Sequence, residues 1–329
     1  MTDVLRMPQV TPAPALARPT GAACLSPTRL DRPAYLMSCP FSFSTRVPNN
    51  PWMEDLTPDE REPNLHRALN QFMDVYRFLS SEGVVYLIPS PGSCRLQDLV
   101  FTGNLGVVLD HLPGRDVVVI SNFTSEPRRG EAELGRRFFA AMDYDVHQAP
   151  SKFEGDAELK HLRDNVYVGG YGIRSERETY DWMERNFDMK VVKLEMKDPY
   201  LYHLDCTVFP ITHEQVMVCT ELFEREEVAE IERYANVIDV SVDECYSGIC
   251  NSVRLSNTIL NASNLQRLKA GTEDYRLELQ KNRRLEDIVF PLAFEVSYFN
   301  LSEYMKGGGL LSCMVMHLNR YSYSLRLTA

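Results

Sequence analysis

The sequence predicts an α/β fold built from five similar units. Two observations carry the prediction. A strand, loop, amphipathic helix, strand order recurs from Pro33 onward, at about 50–60 residues per unit. The 44% apolar and 25% charged content of the 329 residues is that of a soluble globular chain with ample material for a core. Such a repeat fits a single α/β domain with fivefold pseudo-symmetry. An ordinary doubly wound α/β domain is the competing reading. No Gly-x-Gly-x-x-Gly follows a strand and no P-loop occurs, which argues against a dinucleotide fold.

In the first unit, Tyr35-Leu36-Met37 is a short apolar strand. Residues 62–81 read as a helix, with Leu65, Leu69, Phe72, Val75, Tyr76 and Leu79 at three-to-four spacing and Pro63 in its first turn. Gly83 ends it, and 84–88 is the returning strand. The second unit has apolar segments at 99–102 and 106–109, a strand at 117–120, a helix over about 131–142 and a short strand near 145–147. The third has a strand at 165–169, a helix over 175–187 and a strand at 189–194. Ser175 and Glu178 there have the spacing of a capping box. The fourth has strands at 215–219 and 237–240 around a helix at 225–234. The fifth has strand segments at 254–255, 258–260 and 294–299. Its charged stretch at about 270–287 reads as a solvated helix.

Composition bounds the function. A net charge of −11 and no dense Lys/Arg cluster argue against a nucleic-acid partner. No apolar run reaches the roughly 18 residues of a membrane span. Residues 1–30 are rich in Pro, Ala and Thr and read as a flexible tail, leaving 31–329 as one domain. The eight cysteines (24, 39, 94, 206, 219, 245, 250 and 313) are scattered without zinc-ligand spacing. Reduced thiols in a cytoplasmic protein are expected, with no metal and no cofactor.

Three polar clusters stand outside the repeat strands. They are Lys152-Phe153-Glu154-Gly155-Asp156-Ala157-Glu158, Tyr202-His203-Leu204-Asp205-Cys206, and Gly307-Gly308-Gly309 through Cys313. Three consecutive glycines allow backbone angles that side chains forbid, so a thiol could be presented on a close-approach loop. On that stretch alone a Gly-rich turn with a buried structural cysteine is the favoured reading, because free cysteines are commonly buried. If 203–205 is extended, His203 and Asp205 face the same way. Together the clusters hold a nucleophile, a general acid/base and carboxylates for a cation, the set needed for covalent catalysis on a positively charged carbon centre.

These residues, taken with Tyr35-Leu36-Met37-Ser38-Cys39-Pro40, Asn49-Asn50-Pro51-Trp52-Met53, Val100-Phe101-Thr102-Gly103-Asn104-Leu105-Gly106 and Gly170-Tyr171-Gly172-Ile173-Arg174-Ser175, resemble the guanidino-group modifying superfamily. Its members include arginine deiminases, dimethylarginine dimethylaminohydrolases, amidinotransferases and arginine dihydrolases. The resemblance runs from about Ala34 to the end. It implies a five-bladed α/β-propeller (pentein) with fivefold pseudo-symmetry around a central active site. It also implies a small guanidine such as arginine as substrate, and it is compatible with a homo-oligomer.

By the same resemblance Cys313 is the nucleophile, His203 the general acid/base, and Glu154 and Asp205 the carboxylates that hold the guanidinium. Arg174 would grip a substrate carboxylate, with Arg177 close by. Asn104 and Asn50 are similar to the arginine dihydrolase subgroup, where deiminases have an aspartate in place of Asn104. The family often has Phe-Glu-Gly-x-Gly-Asp where this chain has Ala157 and Glu158 at the last two places. Asn251 is a further candidate to line the pocket. An amidinotransferase and a non-catalytic binding protein on the same fold remain the alternatives.

Overall fold

The computed structural model describes residues 26–90 and 96–324. They form five three-stranded sheets, each built alike. A first strand pairs antiparallel with a central strand, and a third strand pairs parallel with the central one. In the second unit these are β3 (Gly106–Val108), β4 (Val117–Ile120) and β5 (Asp145–Gln148). In the third they are β6 (Leu159–Arg163), β7 (Val166–Tyr171) and β8 (Lys190–Glu195). In the fourth they are β9 (Val208–Pro210), β10 (Gln215–Val218) and β11 (Asn236–Asp239). In the fifth they are β12 (Val253–Leu255), β13 (Thr258–Ala262) and β14 (Glu295–Phe299). The first sheet joins the two ends of the chain. Its β1 (Ala34–Met37) pairs parallel with β2 (Val84–Leu87) and antiparallel with β15 (Met316–His317).

A parallel pair needs a long crossover, and in each unit a helix supplies it. These helices are Leu65–Glu82, Arg129–Ala141, Arg177–Asn186, Arg225–Glu232 and Glu273–Val289. The central strands are covered on both faces and are almost wholly buried. This is why they read as unbroken apolar runs rather than alternating ones. Four of the third strands are half-exposed, while β8 buries Val191, Val192 and Leu194. First strands of neighbouring units lie against one another, β15 with β3 and β6 with β9. Apolar clusters fill the space between sheets and helices. In one of them Ala68, Phe72, Val75 and Leu79 of the first crossover helix pack on Tyr35 and Met37. Burying each large side chain of this kind stabilises the fold by about 1.5–3 kcal/mol.

Several local expectations are corrected. The first crossover helix starts at Leu65, with Asn64 as N-cap accepting the Arg67 N–H at 3.0 Å, so Pro63 lies outside it. The third begins at Arg177, and Ser175 does not cap it. The Ser175 hydroxyl accepts the Glu154 backbone N–H at 3.3 Å instead. The charged helix of the fifth unit is not simply solvated. Lys281, Leu285, Ile288 and Val289 form a buried stripe. The Lys281 ammonium is 1% exposed, bonded to Asn261 Oδ1 at 2.9 Å and paired with Glu278 at 3.0 Å.

Of the predicted tail, 1–25 lie outside the described residues. Pro27–Arg29 form a turn, and the Thr28 hydroxyl meets the Tyr144 hydroxyl at 2.8 Å. Among the described residues no helix is long and apolar enough to cross a membrane.

Candidate active site

The site is assembled from the turns that precede the first strands. Thr102–Asn104 precedes β3, Gly155–Ala157 precedes β6, Leu204–Cys206 precedes β9, and the one-turn helix Leu311–Met314 precedes β15. Because the first strands pack on one another, these turns converge. Asn104, Glu154, His203, Asp205 and Cys313 are thereby brought together from four units, all at most 5% exposed.

His203 is the residue just before its turn, and its Nε2 meets Glu154 Oε2 at 2.7 Å. The carboxylate accepts, so the imidazole proton sits on Nε2. Asn104 Nδ2 lies 3.4 Å from both ring nitrogens. Ser121 Oγ, donating to the Asn104 carbonyl at 2.5 Å, holds that turn. The other Glu154 oxygen accepts the Thr124 N–H at 3.2 Å and lies 3.6 Å from Arg174 Nη1. Arg174 donates to the Asn49 carbonyl at 2.6 Å, and its guanidinium stands 4.6 Å over the Tyr202 ring. Tyr202 in turn donates to the Gly308 carbonyl at 2.8 Å.

His203 and Asp205 do not project together as an extended segment would require. Residues 204–206 form a helical turn, which sends the two side chains to different partners. Asp205 sits behind Cys313. Its Oδ2 accepts from Ser312 Oγ and lies 3.6 Å from Cys313 Sγ, while its Oδ1 is 3.6 Å from Cys206 Sγ. The thiol itself sits on a short helix rather than on a loop, and the glycines lead into it.

Cys313, His203, Asn104, Arg174, Tyr202 and the three glycines line one narrow cleft. Its free space is about 20 Å³, room for about one water, so a substrate must open it further. Asn50 also borders it. Its Oδ1 caps the Met53 N–H at 3.0 Å and its Nδ2 donates to the Gly307 carbonyl at 3.1 Å, so it clamps the glycine strip. Gly308 has φ +77°, and a Cβ there would lie 2.5 Å from Asn50 Oδ1. Gly308→Ala is therefore expected to cost roughly 1–2 kcal/mol from the left-handed backbone alone. It should also release the Asn50 clamp, and chemical denaturation with an activity assay reads both effects.

Burial, and then Asp205, push the Cys313 thiol up to about 12. Burial lowers His203 against the opposing pull of Glu154. Burial alone would raise Glu154, but His203 and Arg174 outweigh it and hold the carboxyl at about 2. The resting pair is thus a neutral thiol and a neutral imidazole beside an ionised glutamate. A cation bound between them favours the thiolate.

Glu158 does not face the cleft. Its Oε2 accepts the Leu204 N–H at 3.2 Å, and its Oε1 has no partner among the described residues. Burial, and then the charge of Glu154, raise its carboxyl well above the carboxylate range. Arg177 is exposed and stands over Tyr171, which leaves Arg174 as the arginine of the cleft. Two lining groups, Asp98 and Arg128, were not foreseen. Asp98 is 2% exposed and accepts from Asn49 Nδ2 at 2.6 Å, while its Oδ1 has no partner among the described residues. Its sequence signal, an acidic residue heading the apolar run Leu99-Val100-Phe101, is too weak to separate from an ordinary turn.

Comparison with known proteins gives a consistent picture. The family described as "N,N dimethylarginine dimethylhydrolase, eukaryotic" matches residues 39–320. The chain is 26% identical over 291 residues to the bifunctional arginine dihydrolase/ornithine cyclodeaminase AgrE of a Nostoc species. That match takes in 86% of this chain and 37% of the relative, so the chain spans little more than a third of it. It is 23% identical over 288 residues to the N(G),N(G)-dimethylarginine dimethylaminohydrolase of Mycobacterium tuberculosis, covering 87% of this chain and 85% of that protein. The crystal structure of the product-bound N-terminal domain of ArgZ, an arginine dihydrolase of cyanobacteria, superimposes with a TM-score of 0.74 at 25% identity. It covers 87% of this chain and 97% of that one.

Proposed function

The chain belongs to the N,N dimethylarginine dimethylhydrolase family, and from that premise we propose that it hydrolyses the guanidino group of arginine or an arginine-like substrate through a covalent intermediate on Cys313. In this reading the five sheets are the blades of a pentein propeller and the converging turns are its central active site. One observation carries the proposal: a buried thiol shares a cleft with an imidazole whose Nε2 is fixed by a buried carboxylate.

A guanidinium is planar and cationic, and resonance makes its carbon a poor electrophile. Glu154 and Asp205 offset its charge, and positioning against sulfur supplies much of the rate. With the cation in place, the thiol proton passes to the imidazole and a thiolate forms. The sulfur lone pair makes the S–C bond while the C=N π pair moves to nitrogen. Imidazolium protonates the leaving amine, the C–N bond breaks, and a cationic S-alkylthiouronium remains. Neutral His203 then takes a proton from water as it adds to that carbon, and collapse expels the thiolate. Arg174 and the open Asp98 oxygen offer the carboxylate and ammonium of an amino-acid substrate one partner each.

Two rounds convert arginine and two waters to ornithine, two ammonia and carbon dioxide. Asn104 beside the imidazole favours this dihydrolase outcome, since an amide adds no charge against a neutral ureido product kept for the second round. The family match favours dimethylarginine as a second reading. Product analysis with arginine, and separately with dimethylarginine, decides between them. Ornithine and ammonia from arginine are expected. Citrulline accumulating without ornithine removes the dihydrolase, and an amidino group passed to added glycine removes the hydrolase.

A further inference from the structure

Four of the five units place a chemical group in the cleft from the turn before their first strand. The turn before β12 belongs to the fifth unit, and Asn251 stands there, two residues ahead of Val253. We infer that Asn251 is the fifth unit's contribution to the site, a hydrogen-bond donor that holds the Cys313 sulfur and stabilises its thiolate. The inference rests on Cys313 being the nucleophile proposed above.

Asn251 is 3% exposed, and its Nδ2 points at Cys313 Sγ from 3.5 Å. Its Oδ1 accepts the backbone N–H of Ser312 at 2.8 Å. That second bond settles the amide's orientation, because only the oxygen can accept an N–H. The donor end therefore faces sulfur. Asp205 approaches the same sulfur with a carboxylate oxygen, which disfavours the anion. The Asn251 amide works in the opposite direction, since an N–H group bonds a thiolate more strongly than a thiol.

The donor is held firmly. Its own N–H bonds the Gly248 carbonyl at 3.2 Å. Asn261 Nδ2 ties the same turn together by donating to the Gly248 carbonyl at 2.9 Å and to Ser252 Oγ at 2.8 Å. The buried Lys281 ammonium fixes Asn261 from behind at 2.9 Å. A buried lysine and Asn261 thus support the turn whose Asn251 aims one N–H at one sulfur. The charge of Lys281 is matched by Glu278 at 3.0 Å.

The same bonds would serve a purely structural asparagine that only anchors Ser312. Asn251→Asp keeps the Ser312 anchor but adds a charge, and Asn251→Ala removes the donor without one, so the two variants together separate the roles. Aspartate keeps an oxygen for the Ser312 N–H and replaces the donor at sulfur by an acceptor. The measurement is the pH profile of Cys313 alkylation by iodoacetamide in the full chain, read by mass spectrometry of the Cys313 peptide. It needs no substrate, so failure of guanidine hydrolysis in the parent is a separate result. The expected outcome is a rise of the midpoint by about one pH unit or more, and alkylation at fixed neutral pH at least about tenfold slower than in the parent. An unchanged profile in folded Asn251→Asp overturns the inference. Should that variant fail to fold, Asn251→Ala carries the same test. It removes the donor without adding charge, and an unshifted profile there overturns the inference equally.

Discussion

Cys313→Ser is expected to lower guanidine turnover by roughly 10⁴-fold or more, since a nucleophile acting within a concerted set carries losses of that order. Stability should hardly change. The side chain is 5% exposed, and serine keeps a donor for Asp205 in a space only slightly smaller than sulfur occupied. The loss comes from ionisation. A hydroxyl in this surrounding meets the same burial and the same Asp205 charge that hold the thiol near 12, and it starts from a far higher value. A bound cation can bring a thiol within reach of ionisation but not an alcohol. Thermal midpoints within about 3 °C of the parent, together with lost turnover, are the expected pair of readings. A variant that keeps a tenth of the parental rate would remove Cys313 from the chemistry.

Glu154→Ala should affect both fold and activity. Glu154 is wholly buried and serves His203, Arg174 and the Thr124 N–H at once. Removing one member of a buried charged set leaves the others unpaired, at a cost of roughly 3–5 kcal/mol. Glu154→Gln keeps the shape and tests the charge alone. Without the carboxylate the imidazolium loses its support, and the acid/base step should slow by about 10²–10⁴-fold. The pH dependence has a definite sign. The folded carboxyl is held at about 2, below its ordinary 4.5, so its contribution to stability is complete above 4.5 and is lost as pH falls toward 2. Acid unfolding of Glu154→Gln should therefore lack part of the parental pH dependence between those values, as circular dichroism against pH would show.

Much of this architecture was legible in the sequence because of how the central strands are buried. Val117-Val118-Val119-Ile120 is covered on both faces and announces itself by composition alone. The first strands β6, β9 and β15 were not foreseen. Runs of two to five residues following polar turns carry no usable period. The site residues Cys313, His203, Glu154 and Asn104 do share the cleft or its hydrogen bonds. What the sequence could not convey was their mutual geometry. A two-residue spacing suggested that His203 and Asp205 act side by side, but nothing local announces the helical turn that separates them. Ser175 has the spacing of a cap, yet a backbone N–H from Glu154, 21 residues earlier, claims its hydroxyl. Asp98 escaped assignment for the same reason, and Asn251 was placed at the pocket without its role. Their meaning lies in contacts with Asn49 and Cys313, 49 and 62 residues away, that only the folded chain brings about.

The central claim is that Cys313 becomes covalently bound to the guanidine carbon. Acid quenching during turnover of arginine, followed by digestion and mass spectrometry, tests it directly. A thiouronium adduct is predicted on the peptide that carries Cys313. It should be weak in His203→Ala, where neither the thiol proton nor the leaving amine has its partner, and absent in Cys313→Ser. Steady turnover in the parent with no adduct, or an adduct on another of the cysteines, would contradict the account.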